Sequence, residues 1–228
     1  MIGTIVNTAT ILAGAIVGSI LHKGIGEKYQ KALFGACGLA ACGIGINAIV
    51  NNMPDSNYPV LFIVSLAIGI LIGTALDLEG KFERLVNKRS KSENNLGKGL
   101  STGILLYCIG TLSIMGPVMS ALYGDHTFLF TNATLDLITS MVLASTYGMG
   151  MALAAPVLFA WQGCIYLIAK HASGFISDDL VCELCIVGGF LIFASGLNIL
   201  NIKNLKTLNL LPALAIPIIF FAIKSAIG

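Results

Sequence analysis

Leu135–Ala169 reads LDLITSMVLASTYGMGMALAAPVLFAWQGCIYLIA, and its only charge is Asp136. A bilayer core takes about 20 apolar residues per helix. The uncharged distance from Asp125 to Lys170, Asp136 apart, is too long for one span and enough for two short ones. The break between them is expected near Gly148-Met149-Gly150, with Pro156 opening the next helix early, because proline fits the first helical turn. A re-entrant hairpin is the alternative reading of the same residues.

Outward from this stretch the pattern repeats. Further uncharged runs occupy Met1–Leu21, Ala32–Pro54, Ser56–Leu76, Gly99–Gly124, Leu184–Ile202 and Thr207–Ile223. Hydrophobic residues make up 56% of the 228, charged residues 11%, and the mean hydropathy is +0.89. A soluble domain carries about 25% charged residues, so a soluble enzyme or binding domain is excluded. The chain reads as an all-α polytopic transmembrane bundle of about eight spans. The expected spans are Gly3–Leu21, Ala32–Val50, Tyr58–Leu76, Leu100–Leu122, two within Leu135–Ala169, Glu183–Leu200 and Leu208–Lys224. They form one integral membrane domain.

The apolar start lacks the basic residues of a secretory signal, since His22 and Lys23 come after it. It is therefore expected to be a retained first span. Nine of the thirteen Lys and Arg residues fall in 22–31 and 77–98, and none in 51–57. The positive-inside rule then puts the two basic loops in the cytoplasm and the N-terminus outside. The segment LEGKFERLVNK is expected to lie as a helix at the interface, and SKSENNLGKG as a linker.

Gly38-Leu39 with Gly45-Ile46-Asn47 recurs as Gly189-Phe190 with Gly196-Leu197-Asn198, an offset of 151. At that offset the first three spans fall on the last three. This predicts an inverted three-helix repeat, residues 1–78 against 152–228, around a basic loop at 79–98 and central helices at 99–150.

Four stretches together carry a resemblance: GTIVNTATILAG (Gly3–Gly14), YCIGTLSIMGPV (Tyr107–Val118), LDLITSMVLASTYGMG (Leu135–Gly150) and Glu183–Ala213. They resemble the bacterial membrane family catalogued as domain of unknown function number 554, over essentially the whole chain. The resemblance implies a multi-pass inner-membrane protein with a loosely attached label of transport and no established substrate. It also implies a glycine after the aspartate of the fifth span, where this chain has Leu137.

Function must be read from polar groups kept inside the apolar spans. Asp136, sharing a helical face with Thr139 and Ser140, is the strongest candidate for holding a proton or cation; capping the start of its helix is the competing role. Asn7, Asn47 and Asn198 each offer an acceptor and a donor to a solute, or equally to a neighbouring helix. Gln162 lies mid-span between Trp161 and Gly163, with the same two readings. Glu183, at the expected start of its span, reads as a partner of the helix dipole. Gly14/Gly18, Gly69/Gly73 and Gly99/Gly103 fit tight helix crossings, within the chain or in a homo-oligomer. Cys182 and Cys185 form C-x-x-C without a second pair at zinc spacing, so no metal or cofactor is expected. No phosphate-binding loop, hydrolase motif or basic aromatic face points to catalysis or to nucleic acid.

The expectation is a non-enzymatic secondary transporter or channel for a small ion or polar metabolite in the cytoplasmic membrane. Its site would be built from Asn7, Asn47, Asp136, Ser140, Gln162 and Asn198, with the lipid bilayer as its other partner. The alternative is a scaffold or assembly protein acting through the basic loop; a lipid- or isoprenoid-processing enzyme is weaker.

Overall fold

A computed structural model describes residues 1–21, 25–81, 84, 100, 103–104, 107–108, 111–172, 177–203 and 205–227. The readings made for His22, Lys23, Gly99 and most of the basic loop lie outside the described residues. Helix accounts for 89% and strand for none of the structure described, so the chain is all-α. Its helices are α1 (Ile2–Ile20), α2 (Glu27–Asn52), α3 (Leu61–Leu76), α4 (Thr111–Leu122), α5 (Thr127–Tyr147), α6 (Ala154–Ala172), α7 (Asp178–Ile199) and α8 (Ala215–Ile227). Short helical turns at Met53–Asp55, Met149–Leu153, Thr207–Leu210 and Leu211–Leu214 join some of them. Among the described residues, six helical stretches are long and apolar enough to cross a bilayer, and Leu61–Leu76 and Leu112–Leu122 are shorter apolar helices.

The long stretch divides where its glycine predicts. Gly148 adopts φ +84, a conformation that L side chains rarely adopt, and closes α5 by donating its N–H to the Ala144 carbonyl. Pro156 then sits in the first turn of α6. Two boundaries differ from the sequence expectation. α5 begins at Thr127, eight residues before Leu135, because the hydroxyls of Thr131 and Thr134 bond back to the carbonyls of Thr127 and Phe130 and let a polar segment stay helical. α7 begins at Asp178 rather than Glu183: Ser177 Oγ accepts from the Leu180 N–H, and Asp178 and Asp179 complement the dipole.

The helices form two compact units. Unit 1 comprises Met1–Ala36 and Glu83–Ser173; unit 2 comprises Cys37–Phe82 and Gly174–Gly228. In unit 1, α1 runs parallel to α5. A Cβ at Gly14 would lie 2.5 Å from the Leu137 carbonyl oxygen, and one at Gly18 2.3 Å from that of Met141. The small residue at this crossing is thus Gly14 of α1, and Leu137 takes the facing place on α5. α4 runs antiparallel to α5, with Gly116 against Leu129 and Tyr107 bonded to Ser140. α1 and α6 are also antiparallel, since Met1 lies by Gly163 while Ile11 packs with Ala155 and Leu158.

In unit 2, α2 and α7 cross antiparallel at four glycines. Gly38 faces Gly196 and Gly45 faces Gly189, each against backbone carbonyl. Phe62 stacks on Phe190, with ring centroids 4.8 Å apart. Val187, Leu191 and Ala213 form the apolar centre of this unit. The pairs Gly14/Gly18 and Gly69/Gly73 are both covered by the chain's own backbone.

Candidate functional site

Unit 1 buries an unusual number of polar side chains for an apolar bundle. Thr4, Asn7, Ser113, Ser140 and Gln162 have no exposed surface, and Asn132 and Asp136 retain 5% and 4%. Helix register sets their heights. Gly116 meets Leu129 in an antiparallel pair, so Ser113, one turn earlier on α4, stands level with Asn132, one turn later on α5. Gly163 meets Met1 in another antiparallel pair, so Gln162 stands level with the first turn of α1, where Thr4 lies. Asn7 follows on the same face of α1, beside Asp136. The helices α1, α4, α5 and α6 thus each contribute to one polar layer.

Asp136 is the tenth residue of α5, about 14 Å from its start at about 1.5 Å per residue. This removes the capping role that a helix beginning near Leu135 would give it. Its Oδ2 accepts from Asn132 Nδ2 at 2.9 Å. Gln162 Nε2 donates to Ser113 Oγ at 3.1 Å, and Tyr107 and Ser140 share a hydroxyl–hydroxyl bond of 2.8 Å.

The layer is nonetheless incompletely bonded. Thr4 Oγ1, both polar atoms of the Asn7 side chain and Gln162 Oε1 are buried without a hydrogen-bond partner. Asn7 lies near enough to Asp136 to interact with its carboxylate, yet completes no hydrogen bond to it. An unpaired buried polar atom costs about 1–3 kcal/mol, and roughly nine in ten or more buried polar groups in native proteins are paired. Four such atoms in one layer, two of them on Asn7 beside the Asp136 carboxylate, mark a place shaped for something other than packing.

Two of the sequence candidates do not join this layer. Asn47 is exposed in unit 2 and accepts from Asn51 Nδ2 at 3.1 Å. Asn198, also in unit 2, closes the turn after α7: its Oδ1 accepts from the Leu205 N–H and its Nδ2 donates to the Leu205 carbonyl. The repeated asparagines are thus engaged locally. Thr4, Tyr107, Ser113 and Asn132 belong to the layer although sequence reasoning does not select them. The spacings Thr4/Asn7 and Asn132/Asp136, at i,i+3 and i,i+4, are the signals that could have found two of them.

Among its described residues, unit 2 holds one buried carboxylate. Glu183, 1% exposed, lies in the second turn of α7 and not at its start. Its Oε1 accepts from the Ser56 hydroxyl, while Oε2 has no partner. Cys182 of the C-x-x-C donates to the Asn52 carbonyl at 3.1 Å. Outside the spans, the α-amino group of Met1 is held below its ordinary pKa by burial and, second, by Lys170, which places the start of α1 and the end of α6 together.

These features define an all-helical membrane protein with several apolar helices and a polar layer buried inside one of its two units. The chain belongs to the DUF554 family of proteins of unknown function, whose model matches residues 2–222. It is 58% identical to the uncharacterized membrane protein YdfK of Bacillus subtilis (strain 168), over 100% of this chain and 99% of that one. It is 26% identical to the uncharacterized protein YqgA of Escherichia coli (strain K12), over 94% and 93%. No solved structure matches the chain.

Proposed function

We propose that this protein is a multi-pass secondary transporter or channel of the cytoplasmic membrane, passing a small ion or small polar solute through the polar layer of unit 1. The observation that carries the reading is the set of four unpaired, fully buried polar atoms on Thr4, Asn7 and Gln162, of which those of Asn7 lie beside Asp136. A solute that sheds water on entry would complete those hydrogen bonds, and Asp136 would hold the coupling proton or cation.

The reading includes eight spans arranged as an inverted repeat, and several observations favour that arrangement. Six bilayer-length helical stretches and two shorter apolar helices sum to eight. Shifted by 151, α1 becomes 153–171 against Ala154–Ala172, α2 becomes 178–203 against Asp178–Ile199, and α3 becomes 212–227 against Ala215–Ile227. The same shift exchanges the two glycine contacts of unit 2, turning Gly38–Gly196 into Gly189–Gly45. Cys42, whose thiol lies 3.9 Å from the Phe193 carbonyl, is 151 residues from that very partner, as expected of a residue near a two-fold axis. Repeats of this kind are a recurring plan of secondary transporters. With the N-terminus outside, Met1 and Lys170 share the outer end.

No enzymatic step belongs to this reading. Ser113 and Ser140 are bonded to an amide and a phenol rather than to a base.

The test is flux in proteoliposomes, read with dyes for H⁺, Na⁺ and K⁺ and by light-scattering swelling for small neutral solutes. The wild-type chain is expected to raise at least one flux above that of empty vesicles. Asp136→Asn is expected to return it to the empty-vesicle rate while the protein remains folded. Undiminished flux in Asp136→Asn, or none in the wild type, would overturn the proposal.

A further inference from the structure

We infer that the polar layer of unit 1 is matched to one dehydrated monovalent metal cation, of the Na⁺ or K⁺ class. The inference rests on reading that layer as the solute site, and adds what the site takes. Its first argument is charge. Asp136 is the one carboxylate among the described residues of α1, α4, α5 and α6, and the cationic side chains described there, Lys170 and His171, are confined to the last turn of α6. The α-amino group of Met1, three residues before Thr4, feels Lys170 and lies toward that same end. His126 is the N-cap of α5 and stands ten residues before Asp136, about 15 Å away along the helix axis. Among the described side chains, the layer thus carries a single negative charge. A monovalent cation brings it to neutrality, a divalent ion leaves one uncompensated positive charge in a low-dielectric interior, and an anion meets repulsion.

The second argument is the donor set. Asn7, which lies beside Asp136, has an unpaired oxygen, Oδ1, next to the carboxylate oxygens, and Thr4 Oγ1 and Gln162 Oε1 are the layer's two other unpaired oxygens. Neutral and carboxylate oxygens are the ligands that hard cations prefer. A proton alone would neutralise Asp136 and leave the three neutral oxygens unanswered; a metal cation answers both.

The experiment is thermal unfolding of the purified full-length protein in NaCl, KCl or LiCl against choline chloride at equal ionic strength, with MgCl2 and CaCl2 alongside. At least one alkali cation is expected to raise the midpoint saturably, and Asp136→Asn to abolish the shift. Thr4→Val keeps the shape, removes one oxygen and is expected to weaken the apparent affinity about tenfold. Asn7→Asp adds a second carboxylate and is expected to move the preference to a divalent ion. No difference between alkali cations and choline, or an unchanged shift in Asp136→Asn, would overturn the inference. Proteoliposome flux separates the two claims: flux without an alkali-cation shift retains transport and rejects the cation, whereas a shift without flux retains the cation and rejects transport.

Discussion

Gly73→Ala is expected to destabilise the protein more than any other single methyl addition. A Cβ at Gly73 would stand 1.9 Å from the carbonyl oxygen of Asn209, and one at Gly69 2.4 Å from the backbone nitrogen of Ala213. Both obstacles are main chain, so no side-chain rotation relieves them. The same approach brings Asn209 Oδ1 to the Glu79 N–H at 3.0 Å, so separating the segments also disturbs the end of α3. Overpacking of this kind costs about 1–3 kcal/mol or more, against a gain of about 1 kcal/mol when alanine replaces glycine in a helix. Gly43→Ala is the control, since a Cβ there meets nothing within 4 Å. The unfolding midpoint in detergent is expected to fall clearly for Gly73→Ala and to hold or rise for Gly43→Ala. Equal midpoints would show that α3 does not approach the 207–214 turn this closely.

The second large effect has the opposite sign. Thr4→Val, Ser113→Ala and Gln162→Met combined are expected to raise stability while abolishing flux. Thr4 Oγ1 and Gln162 Oε1 are buried without partners, and replacing an unpaired buried group by an apolar one of similar shape recovers about 1–3 kcal/mol. Ser113 is replaced with Gln162 because the two are bonded to each other. A more stable, inactive triple variant is the behaviour of a site held at the expense of packing. A triple variant less stable than the wild type would mean that these groups serve helix association.

Much of the fold was legible because bilayer physics acts on composition and length. The α5–α6 break could be read from Gly148 and Pro156, whose backbone requirements are local. The start of α5 could not, because Thr131 and Thr134 look like loop residues until their hydroxyls turn back to the helix. The burial of Asp136 inside a helix could be read from the expense of a carboxylate in lipid. Its companions Tyr107 and Ser113, on another part of the chain, could not, because hydroxyls are common in membrane helices and the register between helices is absent from a single sequence. Asn47 and Asn198 mislead for a related reason: a shared motif reports a shared helix position, whereas local turns decide what each amide bonds.

The measurement closest to the central claim is water access to the polar layer in a bilayer. Asn7→Cys and Gln162→Cys would each be made in a background with the six native cysteines replaced, and treated with a membrane-impermeant thiol reagent; Asp125→Cys, at an exposed position, is the positive control. Labelling of positions 7 and 162 is the expected result, because a solute site must be reached from water. Labelling at 125 with none at 7 or 162 would show a dry layer and contradict the transport account.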